Sequence, residues 1–435
     1  MILVYTSNIT PRVRYIFQFI FNDILNIAYE FTSEKQKFEV SDLPRINYSE
    51  TEIEGTVQII PHTLLFETGI KQQNIRVTEW KGTKVFFQTD SSLNVPFDLF
   101  AASFYLLTRY EEYLPHKKDG HGRFPAEESL AFKNDFLEEP VVDQWAFLFT
   151  EVLKQQYPDF IIQERKFNYI PTIDIDVAFA YKYKGFGRTV GAFAKDLVHF
   201  NFLNTLSRIK VLLGLEKDPY DTYDFFEKLH KGYDLTPVFF FLVGRYAQFD
   251  KNHSIRKKEY RELIKKISAV GKVGLHPSYG SNFNYKALIK EADGFSQLIG
   301  GKVEKSRQHF LKLTLPETYR NLIKIGIKED YTMGFASKPG FRAGTCTSFH
   351  FYDLENEEQT LLKIFPFQVM DGTLNQYMKL NPEQAEEKIR KIVNSVKLVN
   401  GTFISLWHNE SVGEQRDWKG WSGIYEKMLK ICKSK

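Results

Sequence analysis

The sequence predicts an α/β protein in which a smaller α/β domain precedes a larger one. From Phe167 onward, apolar strand-like runs alternate with long helical stretches, which is the pattern of βα units. The chain has 435 residues, more than are usually built around a single hydrophobic core. Hydrophobic residues make up 43% and aromatic residues 15% of the chain, as in globular proteins. We therefore expect domains at residues 1–165 and 166–435, with the second domain a (β/α) barrel or a doubly wound sheet.

The composition argues against several classes of function. The net charge of +4 is small and the basic residues are dispersed, so we expect no nucleic-acid partner. The two cysteines, Cys346 and Cys432, exclude a disulfide framework and fit a reducing compartment. The sequence has no signal-peptide pattern and no run of about 18 apolar residues, so we predict a cytoplasmic protein without an integral membrane segment. Nothing in the sequence indicates the oligomeric state.

The predicted elements follow from hydrophobic periodicity. In the leading domain, Met1 to Ser7 resembles a strand, and Phe97 to Tyr113 has the apolar spacing of an amphipathic helix. In the larger domain we predict strands at Tyr169 to Asp176, Pro237 to Val243, Val273 to His276, Gly301 to Val303, and Thr402 to Trp407. Ligands of parallel α/β sheets bind at the carboxyl ends of the strands, so the polar residues there are the candidates for function.

The first of these strand ends carries two acidic residues. Asp174 and Asp176 alternate with apolar residues, so both carboxylates point to one side of the strand. Two like charges on one face need a compensating cation or arginine, which suggests a metal site. The alternative is an ordinary strand end, with one Asp exposed and the other capping a turn.

Three histidines follow other predicted strands. His276 enters a turn made tight by Pro277, and His408 ends the last strand. Arg307 and His309 are two residues apart and would share one side of an extended segment, where the arginine would hold a carboxylate ionised while the histidine binds a metal. The alternative for this pair is a surface arginine and a half-buried histidine.

Together these segments resemble the motifs of the polysaccharide deacetylases of the NodB-homology type, carbohydrate esterase family 4, over roughly residues 167–412. The resemblance implies a distorted (β/α) barrel and a hydrolase that removes acetyl groups from an N- or O-acetylated carbohydrate. It also implies a divalent metal cofactor, with zinc expected. The leading domain resembles the extra domain of some bacterial members, for which we predict no chemistry.

The resemblance also implies a role for each matching residue. The roles are general base for Asp174, metal ligand for Asp176 and His276, support of the base for Arg307, general acid for His408, and, by a weaker match, orientation of that acid for Asp371. One position departs from the family pattern. The family places a second ligand histidine four residues after the first, and this chain has Gly280 there. We predict that His309 replaces the missing ligand.

The substrate-binding residues are predicted from a segment rich in glycine and aromatic residues, 330–344. Aromatic faces stack on sugar rings and arginine donates to hydroxyl groups, so we expect Asp330, Tyr331 and Arg342 to contact the substrate. Tyr279 and Trp407, which lie near the motif histidines in sequence, are predicted to do so as well. The alternative is a structural loop closed by a contact between Asp330 and Arg342.

Two other functions stay open at this level. A noncatalytic carbohydrate-binding protein on a degenerate deacetylase barrel is the first, and Gly280 favours it because the usual ligand set is incomplete. The second is a metal-dependent hydrolase that acts on a non-sugar amide or on a different acyl group.

Overall fold

The computed structural model describes residues 1–161, 163 and 165–434. The strands are β1 (Ile2–Tyr5), β2 (Tyr29–Thr32), β3 (Arg45–Asn47), β4 (Val57–Gln58), β5 (Thr78–Trp80), β6 (Thr83–Val85), β7 (Asn168–Ile175), β8 (Val238–Leu242), β9 (Lys272–His276), β10 (Lys305–Ser306), β11 (Glu329–Asp330), β12 (Phe349–Asp353), β13 (Glu358–Ile364), β14 (Val369–Met370) and β15 (Thr402–His408). The α-helices are α1 (Pro11–Gln18), α2 (Lys35–Glu39), α3 (Leu99–Leu107), α4 (Leu130–Lys133), α5 (Val141–Gln156), α6 (Phe186–Val198), α7 (Phe202–Leu212), α8 (Tyr223–Gly232), α9 (Lys258–Ser268), α10 (Tyr285–Ile299), α11 (Glu317–Lys324), α12 (Pro382–Leu398) and α13 (Trp421–Lys433).

The leading part of the chain contains a four-stranded parallel sheet in the order β2-β1-β3-β4. The predicted first strand is present as β1. The predicted helix from Phe97 to Tyr113 is shorter than expected and consists of α3 followed by a separate 3₁₀ turn. Asp98 caps the start of α3, and Arg109 interrupts the helix because its backbone adopts a left-handed conformation with φ 54°.

The larger part contains a nine-stranded sheet in the order β12-β13-β11-β10-β9-β8-β7-β15-β14. Neighbouring strands are parallel except β12 and β13, which form an antiparallel pair. Every residue of β8 is buried, as expected for a central strand of a parallel sheet. The predicted α/β class is therefore confirmed. The end strands β12 and β14 are not paired with each other among the described residues, so the predicted distorted (β/α) barrel is not confirmed.

Four of the five strands predicted in the larger part correspond to β7, β8, β9 and β15. The prediction of a strand at Gly301 to Val303 is wrong. Those residues close the end of α10 instead, because the amides of Gly301 and Val303 donate to the backbone oxygen and the side chain of Ser296. The strand begins two residues later, as β10.

The leading part and the larger sheet share one hydrophobic core. A continuous cluster of buried apolar side chains includes residues of both, and Phe104 packs edge-on against Tyr352 with their ring centroids 5.2 Å apart. A buried ion pair between Glu112 and Arg342 also joins them. The predicted division at residue 165 stays a prediction.

Candidate metal centre

The parallel register brings residues from distant parts of the sequence to one edge of the sheet. Asp174 on β7 lies opposite His408 on β15, and His276 ends the nearby strand β9. The amide of Arg307, directly after β10, donates to the carbonyl oxygen of Leu275 on β9. A cavity of about 160 Å³ opens at this edge. Five of the predicted site residues line it, namely Asp174, Asp176, His276, His309 and His408.

Asp176, His276 and His309 form the centre of this cavity. Each offers one potential ligand atom, and the three atoms lie within 4.8 Å of one another. The Nε2 atoms of His276 and His309 are 3.1 Å and 3.3 Å from the two carboxylate oxygens of Asp176. The structure therefore brings together the three residues predicted as metal ligands.

Each of the two histidines is oriented through its other ring nitrogen. The Nδ1 atom of His276 lies 2.5 Å from the carbonyl oxygen of Arg307, and the Nδ1 atom of His309 lies 2.8 Å from Oδ1 of Asp250. Metal-binding histidines commonly use one nitrogen in this way, which fixes the ring and leaves the other nitrogen for the metal. In both residues the nitrogen left for a ligand is Nε2, the atom that faces Asp176.

The donor set fits a divalent cation. Oδ1 of Asp176 is buried and has no hydrogen-bond partner among the described residues, whereas buried acceptors are normally paired. Two imidazole nitrogens and a carboxylate are ligands that zinc accepts, and with bonds of about 2.1 Å neighbouring ligand atoms would lie ~3.4 Å apart. The observed separations of 3.1 Å and 3.3 Å are close to that value. The same donors also suit other first-row metals.

Asp174 is held beside the centre by a buried arginine. Nη1 of Arg307 donates to Oδ1 of Asp174 at 2.9 Å and to Oγ1 of Thr172 at 2.7 Å, and its Nε donates to the carbonyl oxygen of Tyr331. The other carboxylate oxygen of Asp174 lies 3.7 Å from Nε2 of His276. Arg307 thus occupies one oxygen of Asp174 and leaves the second one toward the cavity.

His408 is oriented by Asp371. Its Nδ1 atom lies 2.8 Å from Oδ1 of Asp371, and its backbone amide donates to Oδ2 of the same carboxylate at 2.7 Å. The Nε2 atom of His408 is 3.8 Å from Oδ2 of Asp176. The free nitrogen of His408 therefore faces the centre.

Charges within the centre shift the pKa values of its members. Burial alone would raise the pKa of Asp176, but the nearby charges of His309 and His276 hold it well below its usual range. Burial would lower the pKa of His309, but Asp176 and Asp250 outweigh it and raise the pKa to about 9. The pKa of His408 is likewise raised well above its ordinary value, because Asp371 and Asp176 outweigh the effect of burial.

Asp250 is a member of the centre that the sequence interpretation missed. Besides His309, its carboxylate accepts the backbone amides of Tyr279 and Gly280, at 2.8 Å and 3.4 Å. The turn at Tyr279 and Gly280 thus helps to hold the carboxylate that orients His309. Asp250 lies in a loop with no spacing relation to the motifs, so no sequence signal points to it. Arg123, a second missed residue, lines the cavity from the leading part of the chain.

None of the five predicted substrate-binding residues lines the cavity. Asp330 is fully buried and accepts hydrogen bonds from Ser306 and Thr332. The ring of Tyr331 stacks on Phe365 with their centroids 4.7 Å apart. For both residues the predicted contact with substrate is therefore wrong in this structure, because their side chains complete the packing under the sheet edge.

The predicted substrate contacts of Trp407 and Arg342 are corrected for similar reasons. Trp407 is fully buried and packs against Trp421 and Tyr425, since successive residues of a strand point to opposite faces and His408 takes the cavity side. Arg342 pairs with Glu112, so the alternative contact with Asp330 is also wrong. Tyr279 is half-buried next to Phe310, which lines the cavity, but Tyr279 itself does not line it.

Comparison with known proteins gives a family match for the leading part of the chain and distant similarity to solved structures. Residues 2–158 match a family of unknown function, DUF7033. No curated protein matches the chain.

Among solved structures, a presumed polysaccharide deacetylase from Mycobacterium smegmatis is 12% identical with a TM-score of 0.40, and the match covers 62% of this chain and 85% of that protein. The allantoinase Puue is 10% identical with a TM-score of 0.35, covering 72% and 90% of the two chains. The carbohydrate esterase family 4 pseudoenzyme BA3943 from Bacillus anthracis is 14% identical with a TM-score of 0.29, covering 62% of each chain. Likeness at this level assigns no activity.

Proposed function

We propose that the chain is a metal-dependent hydrolase that removes acetyl groups from an N- or O-acetylated carbohydrate. One observation carries the proposal: three potential metal ligands lie in a cavity between a carboxylate held by an arginine and a histidine held by a carboxylate. Hydrolysis of an amide or ester at a metal requires a base for the water, an acid for the leaving group and a place for the ion. The cavity provides a residue for each task.

The metal would be held by Asp176, His276 and His309. When bound, it would polarise the acetyl carbonyl group and lower the pKa of a water molecule. Asp174 accepts the proton of the attacking water, because its second oxygen faces the cavity. Arg307 keeps that carboxylate ionised and in place through its hydrogen bond to the first oxygen.

His408 donates a proton to the leaving nitrogen or oxygen. Its Nδ1 atom is engaged by Asp371, so the transferable proton is the one on Nε2. The raised pKa of His408 keeps the ring protonated at neutral pH, as a general acid requires. Base and acid are thus different residues on different strands, which lets both proton transfers occur in one substrate pose.

The size and lining of the cavity support a small acyl group on a larger polar molecule. A cavity of about 160 Å³ is larger than one water molecule needs and has room for an acetyl group and a water. Arg123, Tyr377 and Trp418 also line the cavity and offer the hydrogen-bond donors and aromatic faces that sugars use. These residues would contact the sugar ring that carries the acetyl group.

The test combines metal analysis with acetate release. The full chain, loaded in turn with Zn²⁺, Co²⁺ and Mn²⁺, is incubated with N-acetylated and O-acetylated sugar oligomers. We expect one bound ion per chain and released acetate; His309→Ala should lose the ion, and His199→Ala, an exposed histidine outside the cavity, should behave as the parent.

Two outcomes would favour the other functions. A folded parent protein that binds no divalent ion would support the noncatalytic carbohydrate-binding protein. A protein that binds the ion but releases acetate from none of the sugars, while hydrolysing other acyl groups or non-sugar amides, would support the hydrolase with a different substrate.

A further inference from the structure

A helical hairpin formed by α6 and α7 has the reverse of the usual distribution of polar and apolar side chains. We call residues 186–215 the hairpin. In the chain it lies between β7 and α8. The buried residue of α6 is Asp196, which pairs with the buried Arg208 of α7 at 2.8 Å. Asn204 adds a hydrogen bond to the same carboxylate at 2.7 Å. Two charged side chains of the hairpin, Asp196 and Arg208, thus contact each other on its buried side.

The apolar side chains of the hairpin face outward. Phe200, Phe202 and Leu203 at its tip are 78%, 63% and 84% exposed. Among the described residues, twelve of the 26 large apolar side chains that are exposed lie within these 30 positions. Single exposed apolar residues are normal, but a contiguous group of this size indicates a surface that is covered by a partner.

Basic residues outnumber acidic ones in and beside the hairpin. Positions 182–217 contain seven Lys or Arg residues and two acidic ones. The two acidic residues are already paired within the segment, Asp196 with Arg208 and Glu216 with Lys210, and Lys217 pairs with Asp224 outside it. Four basic residues of the segment thus have no acidic partner among the described residues, namely Lys182, Lys184, Arg188 and Lys195. Arg188 also lines a neighbouring cleft of about 890 Å³, together with Arg245, Arg256, Lys286 and Lys290. A partner of this surface should therefore offer both apolar and anionic groups.

We propose that the hairpin docks in the interfacial layer of an anionic lipid bilayer. Apolar side chains would enter the boundary of the acyl chains, and the basic residues in and beside the hairpin would contact the anionic headgroups. At 1.5 Å per residue, the 13 residues of α6 and 11 of α7 measure about 20 Å and 16 Å. Both are shorter than a hydrocarbon core of about 30 Å, so the helices lie along the surface.

The charge of the hairpin favours a bilayer over a second copy of this chain. A two-fold symmetric dimer through the hairpin would bring the same basic surface together from both subunits, where like charges repel. An anionic bilayer removes that repulsion and covers the same apolar side chains.

Docking would also bring the metal centre close to the bilayer. Asn204 and Arg208 of the hairpin line a cleft whose other side includes Glu410 and Trp418, and those two residues also line the metal cavity. Arg416 donates to Asn204 at 2.9 Å across the same cleft. The docking itself does not rest on the proposed hydrolysis.

Vesicle flotation tests the proposal with the full chain. The vesicles contain phosphatidylcholine alone or phosphatidylcholine with 30% phosphatidylglycerol. We expect the protein to float with the anionic vesicles, and the double substitution Phe202→Ser/Leu203→Ser to reduce the floated fraction at least tenfold. The matched control is Leu361→Ser/Leu398→Ser, which replaces apolar side chains that are 88% and 82% exposed elsewhere and should float like the parent. Circular dichroism confirms that all variants are folded.

Two further measurements complete the test: flotation of charge-reversal variants, and the oligomeric state of the parent by sedimentation. Lys195→Glu should weaken flotation with anionic vesicles, whereas Lys258→Glu, at an exposed position on α9, should not. The proposal is overturned if the parent floats with neither vesicle, or if the Ser variant of the hairpin floats as the parent does. It is also overturned if the parent sediments as a dimer that Phe202→Ser/Leu203→Ser dissociates, because the hairpin then binds a second copy. None of these measurements requires a metal or acetate release.

Discussion

Two buried arginine–carboxylate pairs in this protein have similar chemistry and different surroundings. Arg307 pairs with Asp174 at 2.9 Å, and Arg342 pairs with Glu112 at 2.7 Å. In both pairs each side chain is less than 5% exposed. The first pair lies at the carboxyl end of the parallel strands and the second joins the leading part of the chain to the larger sheet.

The two carboxylates differ in what their second oxygen does. Both oxygens of Glu112 are occupied, because Arg342 contacts each of them and Arg109 shares one at 2.7 Å. In Asp174 the arginine takes one oxygen and the other faces the cavity. A buried ion pair alone therefore does not indicate a functional site. An ionised oxygen that is held in place and open to a cavity does.

Replacing Asp174 should have the largest effect on catalysis. Asp174→Asn keeps the size and the hydrogen bond to Arg307 but removes the proton acceptor. We expect kcat for acetate release to fall about 10²–10⁴-fold, the usual contribution of general base catalysis, with the bound metal retained. Deacetylation at the parental rate with full metal content would exclude Asp174 as the base.

Replacing Glu112 should change stability instead. Glu112→Gln leaves Arg342 and Arg109 buried beside a neutral partner, and breaking a buried pair costs about 3–5 kcal/mol. Urea denaturation should show this loss in the free energy of unfolding, with an unchanged metal content in the folded protein. Glu262→Gln removes an exposed partner of Lys258 and serves as the control, with an expected change below ~1 kcal/mol. Equal stability of the two variants would contradict the structural role of Glu112.

Replacing Asp250 should lower the affinity for the metal, although Asp250 is not one of the proposed ligands. Asp250→Asn weakens the hold on Nδ1 of His309, and loss of such a supporting carboxylate typically costs about 10–100-fold in metal affinity. Competition with a chelating dye measures the dissociation constant. Asp293→Asn, at an exposed position of α10, should leave it unchanged. If Asp250→Asn binds the ion as tightly as the parent, His309 is positioned by other contacts.

The smallest predicted effect is the change in metal affinity over a single pH unit. His309 must lose its proton to bind a cation, and its pKa is raised to about 9 by Asp176 and Asp250 against the effect of burial. The apparent affinity should therefore fall about tenfold for each pH unit below 9. In the metal-free protein this raised pKa contributes stability that is present below about pH 6.5 and is lost as the pH rises through about 9.

Calorimetric titration at pH 7 in buffers of different protonation enthalpy should detect about one released proton per bound ion. An affinity that is independent of pH between 6 and 8 would contradict the raised pKa of His309.

Residues close together in sequence were the most predictable part of the structure. The alternation at Asp174 and Asp176 depends only on the period of a strand, and histidines at strand ends follow from the direction of parallel strands. The short strands β10, β11 and β14 have two residues each, too few for a periodic signal, and one of them was placed wrongly. The segment 330–344 has a composition that suits sugar binding, yet its Asp330, Tyr331 and Arg342 serve the packing of the interior.

The sequence by itself determined the α/β class and the positions of the acidic pair and the strand-end histidines, because these depend on local periodicity and chain direction. The tertiary structure alone decided which groups meet. It joined His309 to Asp176, brought Asp250 from a loop to orient His309, and paired Arg342 with Glu112. It also left the apolar side of the hairpin uncovered. Such contacts join residues far apart in the chain, and the burial that makes them decisive arises only when the elements pack together.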